Sequence, residues 1–321
     1  MAQATAPPHP LPHPAGSDGT AVKSSARPGR SQGRAGHVFL APWLIGMVVL
    51  TLGPMLISLY LSFTDYDLFT RPRWVGLANY RYMFEDDRFL TSARVTLTYV
   101  LLGAPLKLAA ALAVAVLLNR RRRGVGLYRA AFYAPSLLGA SVSVALVWRS
   151  LFATGGLTDR AFSFAGWHVG GLTDNPDHAL YPLIVLTVWQ FGAPMVIFLA
   201  GLKQIPRELY ESAALDGAGR ARTFFSITLP MLSPVLFFNL VLEIIHSFQS
   251  FTPAFIISGG TGGPSDATLF YSLYLYEQAF TDFHMGYASA LAWVLLAVIA
   301  AVTYAVFRTA RLWVFYGQED G

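Results

Sequence analysis

The sequence predicts an all-α fold, a polytopic membrane bundle of six transmembrane helices. Three observations carry this reading. Charged residues make up 13% of the chain against 54% hydrophobic, whereas a soluble domain carries about 25% charged residues. Apolar runs long enough to cross the hydrocarbon, roughly 20 residues, recur along the 321-residue chain. Basic residues sit in short blocks at the ends of those runs, the pattern that encodes membrane orientation. The net charge of +5 is therefore a topology signal and not a nucleic-acid signal.

Residues 1–36 come first, rich in Pro, Ala, Ser, Gly and Arg. This composition buries no core and predicts a disordered, basic cytoplasmic tail. It is a poor signal peptide, because the first apolar run starts far from the N-terminus and is too long for an h-region. Residues 37–321 are expected to form the membrane domain. Six spans are placed at about 38–63, 94–119, 127–153, 180–201, 228–257 and 286–309 from the apolar runs. Pro54, Pro105, Pro135, Pro182, Pro194 and Pro234 fall inside them. Proline is tolerated in membrane helices whose neighbours satisfy the freed carbonyls, so a kinked, packed bundle is expected.

Orientation follows from Lys and Arg. The N-tail, the turn RRRRGVGLYR, the 202–227 segment and the C-tail hold fifteen, and the alternate connections hold seven. Those alternate connections also hold eleven of the 18 acidic residues. The rule places both termini and the 202–227 segment in the cytoplasm of a multi-pass plasma-membrane protein.

Several chemistries are excluded. With no cysteine there is no disulfide, thiolate metal site or cysteine nucleophile. Lys23, Lys107 and Lys203 are the only lysines and none follows a glycine, so no phosphate-binding loop of the G-x-x-x-x-G-K-[ST] type exists. No cofactor of its own is expected; if ATP is used, a partner binds it. Neither H-E-x-x-H nor G-x-S-x-G occurs, which argues against an intramembrane enzyme.

Residues 207–230, RELYESAALDGAGRARTFFSITLP, are polar and glycine-broken between two apolar runs. Pro206 suits a helix start, and Glu208 and Glu211 complement the positive end of the dipole. Tyr210, Ala213, Ala214 and Gly217 recur at i, i+3, i+4 and i+7, a flat and small face apart from the tyrosine. Gly217 and Gly219 break the helix, and Arg220–Ile227 can restart it before Pro230 opens the next span. Periodicity alone fits an ordinary interfacial helix as well as a docking surface.

The spacing Glu211-Ser212-Ala213, three residues, Gly217, nine residues, Ile227-Thr228-Leu229-Pro230 resembles the EAA loop of ABC importer permeases, E-A-A-x3-G-x9-I-x-L-P. Ser212 stands where the pattern has alanine. VFLAPWLIGMVVLTLGPMLISLYLSFTDYDLF, WVGLANYRYMF, FYAPSLLGASVSVALVWRSLF and GGTGGPSDAT are similar to sugar permeases of the maltose-transporter class. The ending RLWVFYGQED resembles the maltose-F-like half of such pairs, without the large insertion of its type member. ARVT at 93–96 lacks the Asn-Thr often seen before the second span.

The resemblance implies a type I importer (MetI-like) core that translocates a sugar or sugar-like solute. It implies coupling helices at about 205–227, with Glu208, Glu211, Ala213, Ala214, Asp216, Gly217, Leu229 and Pro230 meeting the ATPase subunit. Its implied partners are a second, maltose-G-like permease in a heterodimer, two ATP-binding subunits, an extracytoplasmic solute-binding protein and membrane lipid, with no nucleic acid.

Within the membrane, Lys107 and Glu243 stand out, since a Lys or Asp at a helix centre costs roughly 2.5–3.5 kcal/mol on insertion scales. Both are expected to face the interior or water. Asn239, Glu243, His246 and Ser250 fall at i, i+4, i+7 and i+11, one polar face opposite Leu240, Val241, Ile244 and Ile245. Such a stripe lines an aqueous path or glues helices together. Trp189, Gln190, Phe248, Gln249, Phe251 and Trp293 offer the aromatic faces and polar groups that a sugar ring uses. The alternative is an ion-coupled secondary sugar transporter using Lys107 and Glu243 directly.

Overall fold

The computed structural model describes residues 31–119, 124–139, 141–167 and 170–315, with side chains from residue 39 onward. Residues 1–30 of the expected tail, the four arginines at 120–123 and residues 316–321 lie outside the described residues. The tail's last positions do not: α1 (Ser31–Met47) begins inside the segment read as tail. A π turn (Val48–Leu52) and α2 (Gly53–Leu61) complete the first span, Phe39–Leu61. The described residues up to Met55 form one unit and those from Leu56 onward another.

Among the described residues, four helices are each long and apolar enough to cross a bilayer, and up to six spans result if two bent pairs count as one span each. After a two-stranded hairpin, β1 (Thr64–Asp65) and β2 (Arg73–Trp74), and the short α3 (Ala78–Tyr82), the second span is α4 (Asp87–Leu118). Its start is set by Asp86, whose carboxylate accepts from the backbone N–H groups of Arg88 at 3.0 Å and Phe89 at 3.2 Å. Gly103, Ala104, Leu108, Ala111 and Ala115 make a small, buried face. Small side chains let backbones approach closely, and α4 packs against three other spans through this face and its flanks.

The third span is not one helix. Between α5 (Val125–Leu138) and the run from α6 (Val142–Phe152) to α7 (Leu157–Phe164) the direction changes by 93°. Pro135 removes a ladder hydrogen bond in α5. Ser141 then caps α6, accepting from Val144 N–H at 3.3 Å. The fourth span bends too, by 41° between α8 (Leu180–Trp189) and α9 (Gly192–Gln204). Gly192 is required there: a Cβ would lie 2.5 Å from the Phe132 carbonyl oxygen of α5.

The fifth span runs further than expected. Past α10 (Arg207–Leu215), helix resumes at α11 (Arg220–Thr223), passes through a π turn (Phe224–Thr228) and continues as α12 (Leu229–Phe248) and α13 (Thr252–Ile257). Together these make the span Arg220–Ile257. Pro230 therefore does not open a new helix. It follows a π turn, where the regular i→i−4 ladder is already relaxed and a missing N–H disturbs least. The sixth span, after α14 (Tyr271–Tyr276) and a π turn (Glu277–Thr281), is α15 (Met285–Trp313).

Polar side chains fasten the end of the bundle that holds the hairpin. Asp86 accepts hydrogen bonds from the hydroxyls of Tyr287, at 2.6 Å, and Tyr274. Burial, reinforced by that bond to Asp86, holds the Tyr274 phenol well above its ordinary pKa. Arg88 donates to Asp266 at 3.1 Å and to Glu277 at 2.9 Å, pinning the 259–268 loop to the start of α4. Gly286 lets α15 abut the hairpin, since a Cβ there would meet the Thr64 carbonyl oxygen at 2.0 Å.

Candidate functional site

Two places bring the singled-out residues together: an elbow at residues 206–228, and an ion pair within the spans.

In the elbow, Pro206 precedes α10 and Glu208 lies in its first turn. The helix ends in a Schellman closure. Ala218 N–H bonds to the Ala213 carbonyl at 2.9 Å, and Gly217 N–H bonds to that of Ala214 at 3.2 Å. Gly217 holds φ of +72°, the left-handed region that glycine enters without penalty. Its expected place on the i, i+3, i+4, i+7 face is thus corrected, because it lies beyond the helix and shapes the turn.

The face itself also divides. Ala213 is buried and Tyr210 half-buried against the apolar cluster that holds Leu202 and Ile205. The Tyr210 hydroxyl lies 3.1 Å from Thr228 Oγ1, tying α10 to the base of the fifth span. A cavity of about 290 Å³ lies beside this contact, reached by Arg220 and Asn119. Glu208, Glu211, Ala214, Asp216 and Gly217 are exposed on the other side, and Leu229 and Pro230 are half-buried in the fifth span. Leu215, which periodicity passed over, is 91% exposed beside them. A lone apolar residue just before a glycine turn was the available signal.

In the membrane, Lys107 Nζ of α4 lies 2.9 Å from Glu243 Oε1 and 2.8 Å from Oε2 of α12. Their side chains are 13% and 7% exposed. The expectation that both face the interior holds, and they face each other. Mutual attraction in a low dielectric offsets the desolvation of two charges when geometry is this close. Ser247 Oγ stands 3.5 Å from the same carboxylate.

The predicted stripe does not stay together. At about 100° per residue, Asn239, Glu243 and His246 span a sector about 60° wide on α12, the edge of the bundle runs through it, and Ser250 lies beyond the end of the helix at Phe248. Asn239 and Glu243 are buried, Ser250 is half-buried and His246 is exposed. Ser247, not singled out from the sequence, is buried beside Glu243. Gln249 is exposed where α12 ends. Asn239 bonds to its own helix, donating to the Val235 carbonyl at 3.1 Å. Ser250 contributes its carbonyl, which accepts from the Ser272 hydroxyl.

Gln190 joins the two bent pairs. Its side-chain amide donates to the Gly139 carbonyl at 3.2 Å, and its own carbonyl accepts from Ser136 Oγ at 3.0 Å. Trp189 is half-buried and its ring lies 5.5 Å from that of Trp148. Trp293 is half-buried on α15.

Comparison with known proteins agrees with this architecture. Residues 95–313 match the family described as binding-protein-dependent transport system inner membrane component. The chain is 48% identical over 312 residues to a probable ABC transporter permease protein, YesP, of Bacillus subtilis (strain 168), covering 95% of this chain and 99% of that one. It is 27% identical over 267 residues to a probable starch degradation products transport system permease protein, AmyD, of Thermoanaerobacterium thermosulfurigenes, covering 83% and 90%. Its fold matches a chain of a bacterial ABC transporter involved in import of the acidic polysaccharide alginate, with a TM-score of 0.75 and 21% identity over 88% of this chain and 96% of that one. The chain belongs to the binding-protein-dependent transport system inner membrane components, as a multi-pass permease subunit of an ABC importer that works with separate ATPase subunits.

Proposed function

We propose that this permease is the maltose-F-like half of an importer for a saccharide or saccharide-like solute. It pairs with a second, similar permease, two ATP-binding subunits and an extracytoplasmic solute-binding protein. The observation that carries the reading is the elbow: the EAA spacing coincides with a helix, a glycine-closed turn and a continuous helix running into the fifth span. The relative with starch degradation products in its name supports the saccharide class.

In this reading Glu208, Glu211, Ala214, Asp216 and Gly217 present the surface that the ATPase subunit grips. Ala213, Leu229 and Pro230 act from behind it, holding the elbow to the span. The solute passes on the side of the fifth span where His246 and Gln249 are exposed. Ser250, Trp189, Gln190 and Trp293 stand nearby in the scheme, and Asn239, Glu243 and Lys107 form its polar backing. Family membership removes the reason for the ion-coupled alternative, since the drive comes from ATP on other chains.

The test is co-purification. Tagged chain should bring down the ATPase subunits, and Glu211→Ala or Gly217→Pro should weaken that capture and stop uptake. Uptake that survives both changes would count against docking at the elbow. Orientation is tested separately with alkaline-phosphatase fusions, inactive after residue 125 and active after residue 265. The reverse pattern would invert the topology.

A further inference from the structure

Among the described residues, Lys107–Glu243 is the only hydrogen-bonded link between α4 and α12. The clusters that join the two helices on either side of the pair are apolar: Leu108, Ala111 and Ala115 with Leu232 on one side, and Val100 with Ile244 and Phe248 on the other. Apolar contacts are non-directional, so they can re-form after a small shift of one helix against the other. A short buried ion pair is tied to two particular groups, and separating it leaves uncompensated charge in the interior. The two helices are therefore tied at one level and free to adjust elsewhere.

That level lies along a continuous lever. Helix runs from Arg220 through the π turn to Phe248, and Glu243 stands about 22 Å above Thr228 at 1.5 Å per residue. Below the pair, α4 offers Leu108, Ala111 and Ala115, small or flexible surfaces. Above it, Phe248 packs with Val100 and Ile299.

We propose that Lys107 is a positioning residue: by holding Glu243 it makes the ion pair the pivot about which the fifth span turns against α4 when the elbow is driven. The inference rests on the importer reading, which supplies the drive. Failure of that reading would show earlier and differently, as no ATPase subunits captured.

The absence of cysteine makes the test direct. Spin labels are placed at Leu106 and His246, near the pair, and in a second preparation at Leu117 and Phe225, near the elbow. Distances are measured in the assembled importer, with cysteine-free partner subunits, without nucleotide and with ATP–vanadate trapped. The lower distance should shift by several ångströms while the upper stays constant. In K107M/E243L the upper distance should shift as well, and binding-protein-stimulated ATP hydrolysis should fall about tenfold, within the range of allosteric couplings. The exchange K107E/E243K should restore both. An upper distance that moves as much as the lower overturns the pivot, and so does a lower distance that never moves. A double variant that keeps both the fixed distance and full stimulation overturns it too, assigning the pivot to apolar packing.

Discussion

The elbow and the membrane ion pair are opposite solutions to placing charge in an apolar chain. In the elbow, Glu208, Glu211 and Asp216 stay in water on one side of a short helix, while Ala213 and Tyr210 anchor the other side. Its shape comes from local rules: a proline start, a Schellman closure and a left-handed glycine. In the membrane, Lys107 and Glu243 lie 136 positions apart and owe their stability to each other. An exposed charge is individually replaceable. A buried one is only as good as its partner.

The largest expected effect comes from breaking that mutual dependence. Lys107→Met leaves the Glu243 carboxylate buried, with Ser247 at 3.5 Å as its remaining hydrogen-bond partner among the described residues, and removing one partner of a buried pair costs about 3–5 kcal/mol. Thermal unfolding of the purified chain should show a large loss. K107M/E243L should recover most of it, since replacing both charges by apolar groups of similar volume is often neutral. Equal losses in the single and double variants would mean that packing volume, not charge, is what the site requires.

Gly217 comes next. A Cβ there meets no atom within 4 Å, so crowding plays no part and the backbone conformation alone is tested. Gly217→Ala should cost about 1–2 kcal/mol, the price of left-handed backbone for an L-residue. Gly217→Pro cannot hold φ of +72° or donate to the Ala214 carbonyl, so the turn should open altogether. Protease cleavage at 215–219, faster in the alanine variant and fastest in the proline one, reads this order. Cleavage unchanged in both would show that the closure does not set the elbow.

Arg88→Met probes an intermediate case. Arg88 is partly exposed yet bonded to two carboxylates and set over the Tyr274 ring at 5.5 Å. Partly exposed pairs are worth about 1 kcal/mol or less, so global stability should change little. The 259–268 loop, released from Asp266, should exchange its amide hydrogens faster. Unchanged exchange would leave the loop held by its own turns.

How much of each region the sequence disclosed follows from the same contrast. The elbow was visible because its determinants are contiguous and each acts over a few residues. The direction of its face was misjudged, because periodicity shows that Tyr210 and Ala213 share a side but not which side meets the bundle; Gly217 and Pro230 were misplaced because periodicity does not mark where one helix closes and the next begins. The cost of Lys107 and Glu243 was visible, since it belongs to each residue alone. Their pairing was not, because it depends on how two distant helices cross. The stripe on the fifth span failed for a related reason: 60° of polar arc predicts a face, and only tertiary packing decides where its buried edge falls. Gln190 is similar, its amide donating to Gly139 in a bend that no periodicity announced. The break in the third span was foreshadowed by Pro135, but a proline in a membrane helix predicts a kink and not its size.

The smallest effect on folding belongs to the outward side of the elbow, and there the comparison is sharpest. Glu211 is exposed and Leu215 is 91% exposed, so Glu211→Ala and Leu215→Ser should each change the stability of the isolated chain by no more than about 0.5 kcal/mol. The surface that costs the fold nothing is then free to serve a partner. An exposed apolar tip beside carboxylates has the composition of a small anchor with a polar rim. Either substitution should therefore reduce capture of the ATPase subunits while thermal unfolding of the chain stays in place. A matching loss of stability would make these residues part of the fold. Full capture with both substitutions combined would move the docking surface off this side of α10.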